Sequence, residues 1–175
     1  MKLLINEFIK DYKKKTTWLY FLLSFGIILL NSYFAKRQFE DGVDAVKILS
    51  GITVVAAATA TIFSLIMLAN NLSQEYSKGT IKFLYTKPKS RSAILTAKIV
   101  LAFINYIIFL VVGTVFDFVT KNYVFFKNKV GLNHLNDTIT EGYFGRTVAK
   151  QIIITNLADL AVYIFFVAMV EINPL

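Results

Sequence analysis

The chain has 175 residues, of which 56% are apolar, 15% aromatic and only 17% charged. Soluble domains are usually about 45–50% apolar, so the excess points to a membrane protein. The absence of cysteine excludes disulfides, zinc–thiolate sites, iron–sulfur centres and a cysteine nucleophile, and the net charge of +8 is spread between apolar runs, which suits lipid headgroups better than nucleic acid.

Residues 1–15 lack the apolar core and small-residue cleavage site of a signal peptide. On a helical wheel Leu4, Ile5, Phe8, Ile9 and Tyr12 share one arc, while Lys2, Asn6, Glu7, Lys10, Asp11, Lys13 and Lys14 occupy the rest. The pattern predicts an interfacial amphipathic helix, apolar face in the acyl boundary and lysines toward headgroups. The alternative is a soluble amphipathic helix packed on a partner. Immediate continuation into a span favours the lipid reading.

The first span, 18–34, is uncharged and about 26 Å long as a helix, close to the hydrocarbon thickness. Trp18, Tyr20 and Tyr33 lie where aromatic belts form. After a short connection of mixed charge, 35–47, the second span covers 48–72. Its small residues four apart, Ala56/Ala60 and Ala60/Ser64, let another helix approach closely, so this is the span expected to be most buried.

Next comes QEYSKGTIKFLYTKPKSRSAILTAK, residues 74–98. It sets Lys78, Lys82, Lys87, Lys89, Arg91 and Lys98 against a single acid, Glu75. Glu75 is in i,i+3 position to pair with Lys78. A solvated surface pair contributing under about 1 kcal/mol is the plainer reading. Gly79 opens backbone angles barred to other residues. Ile81, Leu84 and Tyr85 recur at helical spacing with Lys82 facing away, Pro88 stops that short helix, and Ser90 or Ser92 is placed to cap the next.

These residues carry a family likeness. Glu75, the Gly79–Thr80 pair, the Lys87–Pro88–x–Ser90–Arg91 turn and Lys98 together resemble the permease subunits of bacterial type-2 ABC exporters. The layout of most of the chain agrees, but only 75–98 is motif-specific. The resemblance implies that 73–92 is a cytoplasmic coupling loop docking on a separate ABC ATPase, through Glu75, Lys78, Gly79, Thr80, Ile81, Lys82, Leu84, Tyr85, Pro88 and Arg91. It also implies a second permease copy or paralogue, with ATP and Mg bound by the ATPase and no cofactor held by this chain. Family members usually have about six spans, so this chain reads as a truncated member. An ordinary positive loop with a chance Gly–Thr is the competing reading.

The third span, 93–119, carries Lys98 near its start, where it can snorkel to the interface, and then Asn105, Gly113 and Asp117. Segment 120–151 is the longest polar region, of a length that is usually functional or flexible. Its His134, the single histidine, has no second histidine to make a metal site and reads as a loop residue. The fourth span, 152–170, contains Asn156 and Asp159. An aspartate in hydrocarbon is costly, so Asp159 should face protein or water. It and Asn105 either line a translocation path or pack helices, with a structural hydrogen bond from Asp159 to Asn105, Asn156 or a threonine the simpler option. Asp117 would mark the end of its span.

The expectation is therefore an all-α integral membrane protein, a single transmembrane domain over 1–175 with an interfacial helix and about four transmembrane helices. Eleven of the 19 basic residues fall on the N-terminal segment, the middle loop and Lys98, which puts the N-terminus in the cytoplasm of a multi-pass plasma-membrane protein. No Walker, metalloprotease, kinase or nucleophile-elbow motif occurs, so the chain is expected not to be an enzyme. Its role is a permease of an ATP-driven exporter. The alternative is a stand-alone membrane interaction, immunity or regulatory protein without an ATPase; an intramembrane enzyme using Asp117 and Asp159 lacks any motif.

Overall fold

The computed structural model describes residues 2–38, 45–77, 88–127, 130–139 and 145–172; side chains at 2–3, 75–77, 88–95 and 170–172 lie outside that description. Six α-helices are described: α1 Lys2–Tyr12, α2 Lys15–Gln38, α3 Ala45–Ser50, α4 Ile52–Ser77, α5 Pro88–Val119 and α6 Val148–Ile172. A π-helical turn, Thr120–Phe125, extends α5, and a 3-10 turn, Leu132–Asn136, precedes α6. Among the described residues there is no strand, only an isolated bridge between Thr138 and Thr147. Four stretches are long and apolar enough to cross a membrane: Lys15–Gln38, Ala45–Gln74, Thr96–Phe125 and Val148–Met169. The fold is that of an all-α integral membrane protein.

Several boundaries differ from the sequence expectation, each for a local reason. α2 starts at Lys15 rather than Trp18 because only the turn at Lys13–Lys14 separates it from α1. There the Thr17 hydroxyl donates to the Asp11 carbonyl at 2.6 Å and the Trp18 indole to the Tyr12 carbonyl at 3.2 Å. Those bonds take up carbonyls that a helix end leaves unpaired. The second span begins as α3 and is offset from α4 at Gly51. The helix of the third span starts at Pro88 rather than Ala93, with Ser90 and Ser92 inside it. A first-turn residue needs no N–H partner, so proline fits there.

The small-residue run on α4 does what its spacing demands. Ala56, Ala57, Ala60 and Ser64 are all buried, and α4 packs most extensively on α5. A Cβ added to Gly113 of α5 would lie 3.4 Å from the Ala56 Cβ, so the two helices touch almost backbone to backbone. Around this contact Phe63 and Met67 of α4 meet Tyr106 and Phe109 of α5 and Tyr163 of α6. Phe21 of α2 stacks on Phe109, ring centroids 4.1 Å apart and nearly parallel. α6 covers one flank only, leaving Ile153, Leu157 and Phe165 exposed, as in a helix whose outer side meets lipid.

The described part of segment 120–151 is packed more closely than its polarity suggested. Phe126, Val130, Ile139 and Val148 bury themselves against Ile48, Leu49 and Ile52, making a second apolar core beyond the helix bundle. Backbone bonds from Ile139 to Arg146 (2.9 Å) and from Val148 to Asp137 (3.1 Å) brace it.

Candidate functional site

Glu7, Asp11 and Lys14 recur at i, i+4 and i+7, which places them on one side of α1 and its C-terminal turn. The structure turns that polar side inward, onto α4 and α5, and leaves Ile5 and Ile9 exposed. Asp11, 1% exposed, accepts from the Lys14 ammonium at 3.0 Å and from the Asn71 carboxamide of α4 at 2.6 Å. Lys14 also donates to the Asn71 side-chain oxygen at 2.6 Å, closing a three-membered ring of charge-assisted bonds. The ring borders a small polar cavity of about 170 Å³ with Asn70 and Gln74, roomy enough for solvent.

Lys98 of α5 completes this clasp. It does not snorkel outward: it is 3% exposed, with its ammonium 3.3 Å from the Asn71 backbone carbonyl and 3.8 Å from the Glu7 carboxylate. Deeper along α5, the Tyr12 hydroxyl donates to the Asn105 side chain at 3.2 Å. Burial, with the Asp11 carboxylate beside it, pushes the Tyr12 phenol up to about 12, so it donates as a neutral hydroxyl throughout the ordinary pH range. The wheel put Glu7 and Asp11 on a polar face expected to meet headgroups; the structure turns that face inward to make the clasp. Its partners Asn71 and Lys98 were missed, because a polar residue at a span's end looks the same whether it meets water or another helix.

The residues expected to couple to an ATPase are only partly within view. Lys78, Gly79, Thr80, Ile81, Lys82, Leu84 and Tyr85 lie outside the described residues. Glu75 falls in the last turn of α4, Pro88 opens α5 and Arg91 follows in its first turns, all three without described side chains. Asn105 and Asp159 are not brought together by a hydrogen bond, since Asn105 is committed to Tyr12. Asp159 is half-buried on α6, on the side that carries Asn156 and Tyr163.

A second polar cluster lies at the far end of α5. Asp117, 0% exposed, is 2.8 Å from the Lys121 ammonium one turn on and accepts from Ser32 of α2 at 3.0 Å. Asp117 is thus more than a span-end marker; it is one half of an ion pair buried on both sides. His134 pairs with exposed Asp137 at 2.7 Å, and among the described residues no cluster of three metal-ligating side chains occurs.

Four long apolar helices, a peripheral amphipathic helix and polar groups spent on tying helices together define a multi-pass α-helical membrane protein. The chain belongs to the ABC-2 family transporter proteins, whose sequence pattern matches residues 3–171. It is accordingly a permease component of ABC transport, a membrane part of a system whose members in general work with an ATPase. No curated protein and no solved structure matches the chain.

Proposed function

We propose that the chain is the membrane-spanning subunit of an exporter, driven by a separate ATPase that docks on residues 73–92. One observation supports this reading above the others. Asn71 and Lys98, the clasp residues of α4 and α5, flank that stretch in sequence, and both are bonded to α1 or to each other. By helical rise Asn71 stands about 9 Å from the end of α4, and Lys98 about 15 Å from the start of α5. A push on 78–87 therefore reaches α1, α4 and α5 as one body.

In this reading Ile81, Leu84 and Tyr85 form the docking face, Gly79–Thr80 and Pro88 fix its turns, and Glu75, Lys78, Lys82 and Arg91 orient the partner. ATP and Mg are bound and hydrolysed on the partner, this chain contributes no catalytic group, and two permeases enclose the path. The N-terminus and 73–92 face the cytoplasm of the plasma membrane, following the lysine and arginine bias. Asn105 serves helix packing, and Asp159 faces the path or a neighbouring helix.

The test is co-purification, from detergent-solubilised membranes, of the ATPase subunit encoded beside the gene. Truncating apolar anchors of an interface commonly costs about 1–3 kcal/mol each, so Leu84→Ala with Tyr85→Ala should abolish most recovery. Lys82→Ala alone should lower it modestly, and more so at low salt. Full recovery with the double variant, at normal membrane levels, would favour a stand-alone membrane protein instead.

A further inference from the structure

The side of α2 that faces away from α4 carries a groove of about 800 Å³ closed on its other side by α5. Tyr12 and Trp18 line it at one end, Phe21, Phe25 and Leu29 along α2, and Val112 from α5. Almost all the surface it offers is apolar. Gly26 lines it too, and a side chain added there would meet nothing within 4 Å. Tyr12 and Trp18 bracket the turn between α1 and α2, so Lys13 and Lys15, both exposed, stand at that end. The groove is an apolar slot with a basic mouth.

We propose that this groove binds one acyl chain of an anionic glycerophospholipid, with the lipid phosphate held at Lys13 and Lys15. Length chooses the occupant. From Trp18 to Leu29 the helical rise is about 16 Å, while half the hydrocarbon core is about 15 Å. The slot thus matches one leaflet. A transmembrane helix needs about 30 Å of apolar contact and is about 10 Å wide, so it would overrun this slot. Charge chooses the headgroup, because two exposed lysines attract a lipid of net negative charge more strongly than a zwitterionic one, whose phosphate is offset by its own cation. The Trp18 indole, 64% exposed, lies in the belt region where amphipathic rings meet headgroups.

Trp18 is the single tryptophan of the chain, which makes the site its own reporter. The full chain would be reconstituted in vesicles containing phosphatidylglycerol or phosphatidylcholine brominated high on the acyl chain, at equal mole fraction, and quenching of Trp18 fluorescence recorded. The expected result is an apparent enrichment of the brominated anionic lipid of about fivefold or more, the order set by one or two basic residues near an anionic surface. Lys13→Gln with Lys15→Gln should abolish the preference, and arginine at both positions should retain it. Gly26→Leu, which fills the slot, should reduce quenching by both lipids. Helical content by circular dichroism verifies that each variant is folded. Equal quenching by the two lipids, or a preference that survives the glutamine pair, overturns the proposal. So does loss of the preference in the arginine pair. Trp18 quenched by neither lipid would mean that a second copy or a partner segment covers the groove, which also overturns it.

Discussion

The two polar clusters of this permease bury charge in opposite ways. Asp117 and Lys121 are four residues apart on one continuous helical run, and Ser32 of α2 donates to Asp117 from another helix. The α1 clasp ties Asp11, Tyr12 and Lys14, from α1 and the turn after it, to Asn71 of α4 and Asn105 of α5 across 57 to 93 residues, and Lys98 of α5 to Asn71 across 27. A pair made within one helix is settled as soon as that helix forms. A clasp made between helices exists only in the assembled bundle, and it therefore records how those helices are arranged.

That contrast can be broken at either end, and the largest effect should come at Asp117. Asp117→Ala leaves the Lys121 ammonium buried with no counter-charge, which typically costs about 3–5 kcal/mol. Replacing both members, as Asp117→Leu with Lys121→Met, should recover most of that loss, since an apolar pair of similar volume is often neutral or better. Titration with a denaturing detergent, followed by circular dichroism, gives both values. A double variant as unstable as the single would show that the ion pair is a positive contributor and not merely a matched burden.

At the other end Asp11→Ala should cost less in global stability but act more selectively. It strips the charged acceptor from Asn71 and Lys14, but Lys14 is partly exposed and keeps its bond to Asn71, so the loss stays near the roughly 1.5–3 kcal/mol typical of one such bond. Hydrogen exchange should accelerate across Lys2–Tyr12 while the α4–α5 core stays protected. Uniform acceleration in all helices would mean that α1 is no separable unit and that the comparison between clusters fails.

The smallest effect concerns Tyr12→Phe, which removes one hydroxyl bond of about 1 kcal/mol. Here pH sharpens the test. The phenol is raised in the fold from its ordinary 10 to about 12, so the folded state holds the proton more tightly. Its contribution is therefore fully present below pH 10 and is lost as pH rises toward 12. The difference in phenolate absorbance between the parent chain and Tyr12→Phe should titrate near 12. A midpoint at 10 would show that α1 does not dock in solution.

The same contrast marks what could be read from the residues. Ala56, Ala60 and Ser64 announced the buried face of α4 because small side chains four apart have one structural use, and the α1 wheel separated Ile5 and Ile9 from Glu7 and Asp11. Both are periodic signals within one helix. Lys98 and Asn71 carried no such signal, since their partners are supplied by a helix distant in sequence. The cluster Val130, Ile139 and Val148 was hidden for a related reason: these three lie nine residues apart among other apolar residues such as Leu132 and Leu135, a spacing with no period until the chain folds back on Leu49. The residues proposed to face an ATPase stand apart again: they rest on a motif likeness at Glu75, Gly79–Thr80 and Pro88, and the partner proposed for them is a different chain.

The second apolar core has a consequence for assembly order. One half of it lies at the start of α4, with Ile48 and Leu49 just before that helix and Ile52 opening it, and the other half, Phe126, Val130, Ile139 and Val148, follows α5. It cannot close until both intervening helices have threaded and returned. It is thus a latch over a finished hairpin, and it ties off a loop of nearly eighty residues. Loop-closure entropy rises only with the logarithm of length, about 0.6 kcal/mol per doubling, so this late step is scarcely harder than sealing a loop half as long. Once shut, it holds the far ends of α4 and α5 in register. Any tilt of α4 against α5 then has to pivot around that fixed end.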